Sequence, residues 1–143
     1  MIRTILLLLS FAALAKDPVA PVFADTKGVA IRGYDPVAYF TASKPVEGKR
    51  EFTYSYMGAT FRFASAANRD QFAAEPAKFA PQFGGYCAWA VGNGYTAPTD
   101  PAAWKIVEGK LYLNYDGGVQ KKWIARMQEL IAAGEKNWPK LHN

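Results

Sequence analysis

Glu51-Phe52-Thr53-Tyr54-Ser55-Tyr56-Met57-Gly58-Ala59-Thr60-Phe61-Arg62-Phe63-Ala64 is the stretch that decides the fold class. Phe52, Tyr54 and Tyr56 recur at every second position before Met57-Gly58, and Phe61 and Phe63 do the same after it. A period of two places alternate side chains on one face of an extended strand, so the pair reads as a β-hairpin closed by a glycine turn. Downstream, Trp104 to Val107 and Lys110 to Tyr115 flank Glu108-Gly109 as a second hairpin. Ser65 is placed to N-cap a short helix through Ala73, with Phe72 as its main apolar contact and Pro76 beyond its end. Asp116 can cap a final helix in which Val119, Trp123, Met127, Leu130 and Ile131 share one face, with Gly134 as the residue just past its end. Asp35-Pro36 starts a turn, and for Val37 to Phe40 pattern alone does not separate helix from strand. Hairpins and helices without βαβ alternation predict an α+β domain: a small antiparallel sheet of two hairpins packed against short helices and a C-terminal amphipathic helix.

The N-terminal residues 1–15 read as a secretory signal peptide. Arg3 supplies the positive start, Ile5 to Leu14 the apolar run, and Ala13-Leu14-Ala15 a small-residue cleavage site before Lys16. As a helix that run covers about 15 Å, against roughly 30 Å of bilayer hydrocarbon, so a stable membrane span is not expected. The expected location is the periplasm or the cell exterior after cleavage behind Ala15, with an uncleaved, loosely tethered form as the alternative. Residues 16–28, with Pro18, Pro21 and Gly28, read as a flexible lead-in, and residues 29–143 as the folded domain.

Composition supports one compact core. Of 143 residues, 50% are hydrophobic and 15% aromatic, enough to fold without a disulfide. The net charge of +5 is spread over basic residues interleaved with acids. That describes a mildly basic, solvated surface and not the basic stripe with presented aromatics that nucleic acid requires.

A single cysteine, Cys87, stands in Gly84-Gly85-Tyr86-Cys87-Ala88-Trp89-Ala90. Exported proteins use cysteines in pairs, so an unpaired thiol in an oxidising compartment is expected to be either well buried or chemically employed.

Three ordered motifs carry a family resemblance: Gly33-Tyr34-Asp35-Pro36-Val37-Ala38-Tyr39-Phe40, Tyr56-Met57-Gly58-Ala59-Thr60-Phe61-Arg62-Phe63 and Pro81-Gln82-Phe83-Gly84-Gly85-Tyr86-Cys87-Ala88. Asp100-Pro101, Trp104, Gly109-Lys110-Leu111-Tyr112-Leu113-Asn114-Tyr115 and Asn137-Trp138-Pro139 extend it. With these the chain resembles exported YHS-domain proteins of bacteria from about residue 30 to 139. The resemblance implies a small module associated with metal-handling proteins such as copper-transporting ATPases, and with multicomponent oxygenases. It identifies a fold more than a reaction. The Tyr-His-Ser signature is incomplete here: Tyr54-Ser55-Tyr56 occupies that region and the one histidine, His142, lies outside it. Cys87 is the candidate ligand that remains.

A thiolate favours Cu(I) or another soft metal, and Met57 offers a thioether of matching softness. Cys87 and Met57 are therefore the candidate metal ligands, with Tyr86 beside them and a metal-handling protein as the implied partner. A closed zinc site wants four ligands, which this chain cannot assemble. Against the metal reading stands an inert cysteine packed as a small hydrophobe, and beside it thiol redox or sensing chemistry. No catalytic constellation is visible: Cys87 and His142 form the one conceivable nucleophile–base pair, and His142 is penultimate, where chains fray. Asp35, Asp100 and Asp116 sit in turn or capping contexts. A further class is a small-ligand or partner-binding domain. Tyr34, Tyr39, Tyr86, Trp89, Tyr95 and Trp104 could line its site under the Gly92 to Pro101 loop, although core packing explains most of them. Tyr86, Trp89 and Tyr95 are its candidate ligand-binding residues, and Tyr95 is the one expected at the surface.

Overall fold

The structure, a computed structural model, describes residues 17–143; the signal-peptide expectation lies outside the described residues. Helix α1 (Pro36–Thr41) is followed by strands β1 (Lys49–Tyr56) and β2 (Ala59–Phe63), then α2 (Ala66–Ala74), α3 (Pro76–Phe79) and α4 (Ala88–Gly92). Strands β3 (Asp100–Val107) and β4 (Lys110–Asn114) follow, and α5 (Gly117–Ala125) and α6 (Met127–Leu141) end the chain. The domain is α+β, with both expected hairpins present. Their turns have left-handed backbone at both central residues, Met57-Gly58 and Glu108-Gly109, which matches the twist of the paired strands. The hairpins form two separate two-stranded antiparallel sheets and do not join into one.

The segment that pattern left open is a helix, and Asp35 is the reason. Its Oδ1 accepts the N–H groups of Val37 and Ala38, with Pro36 at the first helical position where no N–H is needed. Its Oδ2 accepts the N–H of Ala64 at 2.9 Å and the Asn68 side-chain amide at 2.8 Å. One fully buried carboxylate thus fastens α1 to the end of β2 and to α2.

Phe72 anchors the first half of the core. Its ring meets Tyr54, Tyr56, Phe61 and Phe63 at centroid distances of 5.9, 5.7, 4.9 and 5.2 Å. Ser65 caps α2 by accepting the Asn68 N–H, and Asp116 caps α5 by accepting that of Val119. A second cluster packs Phe83, Tyr86, Val91, Tyr112, Trp123 and Leu130 between β4 and the last three helices.

Three expectations change. Residues 17–28 are packed against the domain: Val22 is buried, Val19 pairs with His142, and the Phe23 N–H donates to the Gly84 carbonyl at 2.9 Å. The final helix is two helices, broken at Arg126 where φ is −129°. Gly134 does not end a helix; it lies buried inside α6, where a Cβ would come within 2.6 Å of the Phe83 ring. A residue chosen for close approach looks the same in sequence as one chosen for a left-handed cap.

Candidate functional site

Cys87 is delivered by a run of left-handed backbone. Phe83, Gly84 and Gly85 have φ of 56°, 63° and 84°, turning the chain sharply into the cysteine, which then occupies the N-cap position of α4. Its N–H donates to Ala97 at 3.0 Å, and its carbonyl accepts from Val91 to close the helix. Thr99 Oγ1 donates to the Gly85 carbonyl at 2.7 Å, so the loop before β3 is fastened along the cysteine segment.

The thiol is 1% exposed and lies 3.5 Å from Oδ1 of Asn114, at the end of β4. That oxygen also accepts the Trp89 N–H at 3.0 Å. An amide oxygen facing the sulfur favours the protonated thiol, which donates to it. Burial pushes the thiol pKa up, while the backbone N–H groups of Ala90, Tyr115 and Trp89 pull it down. Asn114 Nδ2, also buried, has no hydrogen-bond partner among the described residues. The sulfur therefore sits beside N–H donors suited to an anion, in a setting dry enough to keep it neutral.

A raised pKa has a sign for stability. The folded state holds the thiol proton more tightly than the unfolded chain does. The resulting contribution is complete below the ordinary thiol pKa of about 8.5 and is lost as pH rises through the higher folded value. Urea unfolding of wild type and Cys87→Ala from pH 7 to 10 is expected to show their stability difference moving against the wild type above about pH 8.5. A pH-independent difference would contradict a buried neutral thiol. The tyrosines common to both proteins cancel in the comparison.

The other candidate residues are dispersed. Met57 is 52% exposed at the tip of the first hairpin and faces a cavity that Cys87 does not line, so the two sulfurs do not share a site. Tyr86 is buried, donating to the Ala20 carbonyl at 3.0 Å and packing on Phe23 and Trp138. Trp89 is partly buried against the second core cluster. Tyr95 is exposed, as its loop position suggested, and lines a different cavity with Asp17, Lys140 and Leu141. Tyr39 and Trp104 pack on each other at 5.3 Å, with the Tyr39 hydroxyl donating to the Pro101 carbonyl. The proposed aromatic site is thus divided among core clusters and separate surfaces.

Two residues gain importance. Asn114, the partner of the thiol, reads in sequence as a polar residue leaving a strand, and nothing there points back toward Cys87. His142 is not a frayed end: it closes α6, pairs with Val19 and stacks on Trp138 with ring centroids 4.2 Å apart. Stacking on a tryptophan four residues earlier is legible as helical spacing once α6 is known to reach that far.

Among the described residues, no group of three or more His, Cys, Asp or Glu is placed to hold a metal ion. One thiol whose proton is held by an amide oxygen does not fit a resident metal centre. No helix among the described residues is long and apolar enough to cross a membrane.

Residues 37–83 match the family model of the YHS domain. No curated protein and no solved structure matches the chain. The matched segment runs from α1 through both strands of the first hairpin to Phe83, and it includes Met57 while stopping short of Cys87. The chain is therefore similar to a YHS domain over residues 37–83, about a third of its length.

Proposed function

We propose that this protein is an exported accessory module, periplasmic or secreted, that works through a guarded thiol at Cys87. Its soft partner in this reading is Cu(I) as cargo, shared with a metal-handling protein and not kept as a resident centre. One observation carries the reading. The sulfur is 1% exposed and 3.5 Å from the Asn114 amide oxygen, and the backbone N–H groups of Ala90, Tyr115 and Trp89 pull its pKa down against burial, yet it remains a covered thiol. Local opening that admits a soft cation releases the proton, and the same donors then face a thiolate. Cu(I) accepts soft donors in low coordination, so a partner can supply the second one. Met57, which lines a cavity that Cys87 does not, is not that donor.

A Cu(I) competition titration on the reduced full chain tests this, with Cys87→Ser and Met57→Ala alongside. One-to-one binding is expected, weakened at least about tenfold by Cys87→Ser and unchanged by Met57→Ala. Equal affinity in wild type and Cys87→Ser would sink the metal reading. Thiol labelling across sub-denaturing urea supplies the second measurement. A guarded thiol reacts through local opening, with a rate that depends weakly on urea. Labelling that follows global unfolding would instead mean a packed core cysteine in a structural or partner-binding domain.

A further inference from the structure

The cavity that Met57 faces has a volume of about 230 Å³ and is walled by five separate parts of the chain, one of them α3 through Ala77. Pro21 and Val22 come from the N-terminal segment, Tyr56 and Met57 from the hairpin tip, Gln82 and Gly84 from the turn before Cys87, and Trp138 and His142 from α6. Among the described residues, its lining includes no Lys, Arg, Asp or Glu. The polar side chains it offers are the Gln82 amide, the Tyr56 hydroxyl and the His142 imidazole, set among the Trp138 and Phe61 rings and the Met57 thioether.

We infer that this cavity binds a neutral aromatic small molecule, one ring with a polar substituent or two fused rings. Size selects the class: an apolar cavity of about 150 Å³ already holds benzene, so this volume suits a somewhat larger ring system. The walls select it again. Trp138, stacked on the His142 ring 4.2 Å away, contributes a fixed aromatic ring to the wall, and a methionine sulfur interacts favourably with an aromatic ring. Gln82 and His142 can satisfy one hydroxyl or ring N–H. A carboxylate would lose its water against a lining without a fixed cation, which disfavours acids. The site is independent of Cys87 and of the reading proposed for it.

Indole and benzyl alcohol are the probes, titrated into isotopically labelled full-length protein at pH 8, with benzoate for comparison. Shifts are expected at the Met57 methyl, the Trp138 indole N–H and the His142 ring, and Cys87→Ser should bind as wild type does. Ala77→Trp, which places a large side chain at an exposed position on the cavity lining, should weaken binding at least about tenfold. Met57→Ala, at an exposed turn, should weaken it about threefold without disturbing the fold. Benzoate should bind at least about tenfold more weakly than benzyl alcohol. No shift at these resonances with millimolar indole, equal binding by Ala77→Trp in its folded form, or benzoate binding as well as benzyl alcohol would each overturn the assignment.

Discussion

Asp35→Ala is expected to lower the unfolding free energy by about 3 kcal/mol, the sum of a lost helix cap and buried donors left without acceptors. For a chain of this size that corresponds to a fall of roughly 10 °C in midpoint. The reason is the number of elements meeting at one side chain. The carboxylate is fully buried and accepts from Val37, Ala38, Ala64 and Asn68, so truncation leaves four donors from three elements unpaired. Asp35→Asn separates the two halves of the role. Its oxygen can still cap α1, but its NH₂ then faces the Ala64 N–H and the Asn68 amide, donor against donor. That variant should keep part of the stability lost in Asp35→Ala, with faster hydrogen exchange at Ala64. Urea unfolding at pH 7 measures both, and a loss below about 1 kcal/mol in Asp35→Ala would show the network to be dispensable.

Local chemistry was legible in sequence where it is also local in space. The alternation of Phe52, Tyr54 and Tyr56 across Met57-Gly58 from Phe61 and Phe63 gave the first hairpin, and Ser65 and Asp116 cap the helices they were read to cap. Asp35-Pro36 announces a turn, but the half of the Asp35 role that reaches Ala64 and Asn68 has no sequence period to announce it. The same holds for the thiol. Cys87 stood out by being single, whereas Asn114 became its partner only through the path of β4. Softness alone pairs Met57 with Cys87 in sequence, and chemical affinity says nothing about distance. Residues 17–28 lack periodicity because they follow the surface of the domain instead of forming an element, and their hydrogen bonds to Gly84 and Leu141 could not be inferred from composition. Gly134 reads as a helix end because a glycine that makes room looks the same in sequence as one that permits a turn.

Gly84→Ala tests whether that unperiodic segment contributes to the fold. At Gly84 a Cβ would collide with the Pro21 carbonyl and come within 3.2 Å of the Trp138 ring, and the residue has φ of +63°. The left-handed backbone alone costs an alanine about 1 kcal/mol. The collision adds to this because the obstacle is backbone, which cannot rotate away, and the total expected loss is about 3 kcal/mol. Gly94→Ala is the matched control, with φ of +90° and nothing within 4 Å of the added carbon, so it reports the backbone cost without the contact. The excess destabilisation of Gly84→Ala over Gly94→Ala therefore measures how firmly Pro21 and Trp138 are held against the turn. Hydrogen exchange locates the damage. Phe23, whose N–H is bonded to the Gly84 carbonyl, should lose protection first, and Val19, bonded to Leu141, should follow as the end of α6 loosens. Asp35 and Phe72 lie in the other half of the core, and amides around them should keep their protection. Equal stability losses in the two alanine variants would mean that residues 17–28 rest on the domain without supporting it, and that Trp138 is positioned by α6 alone.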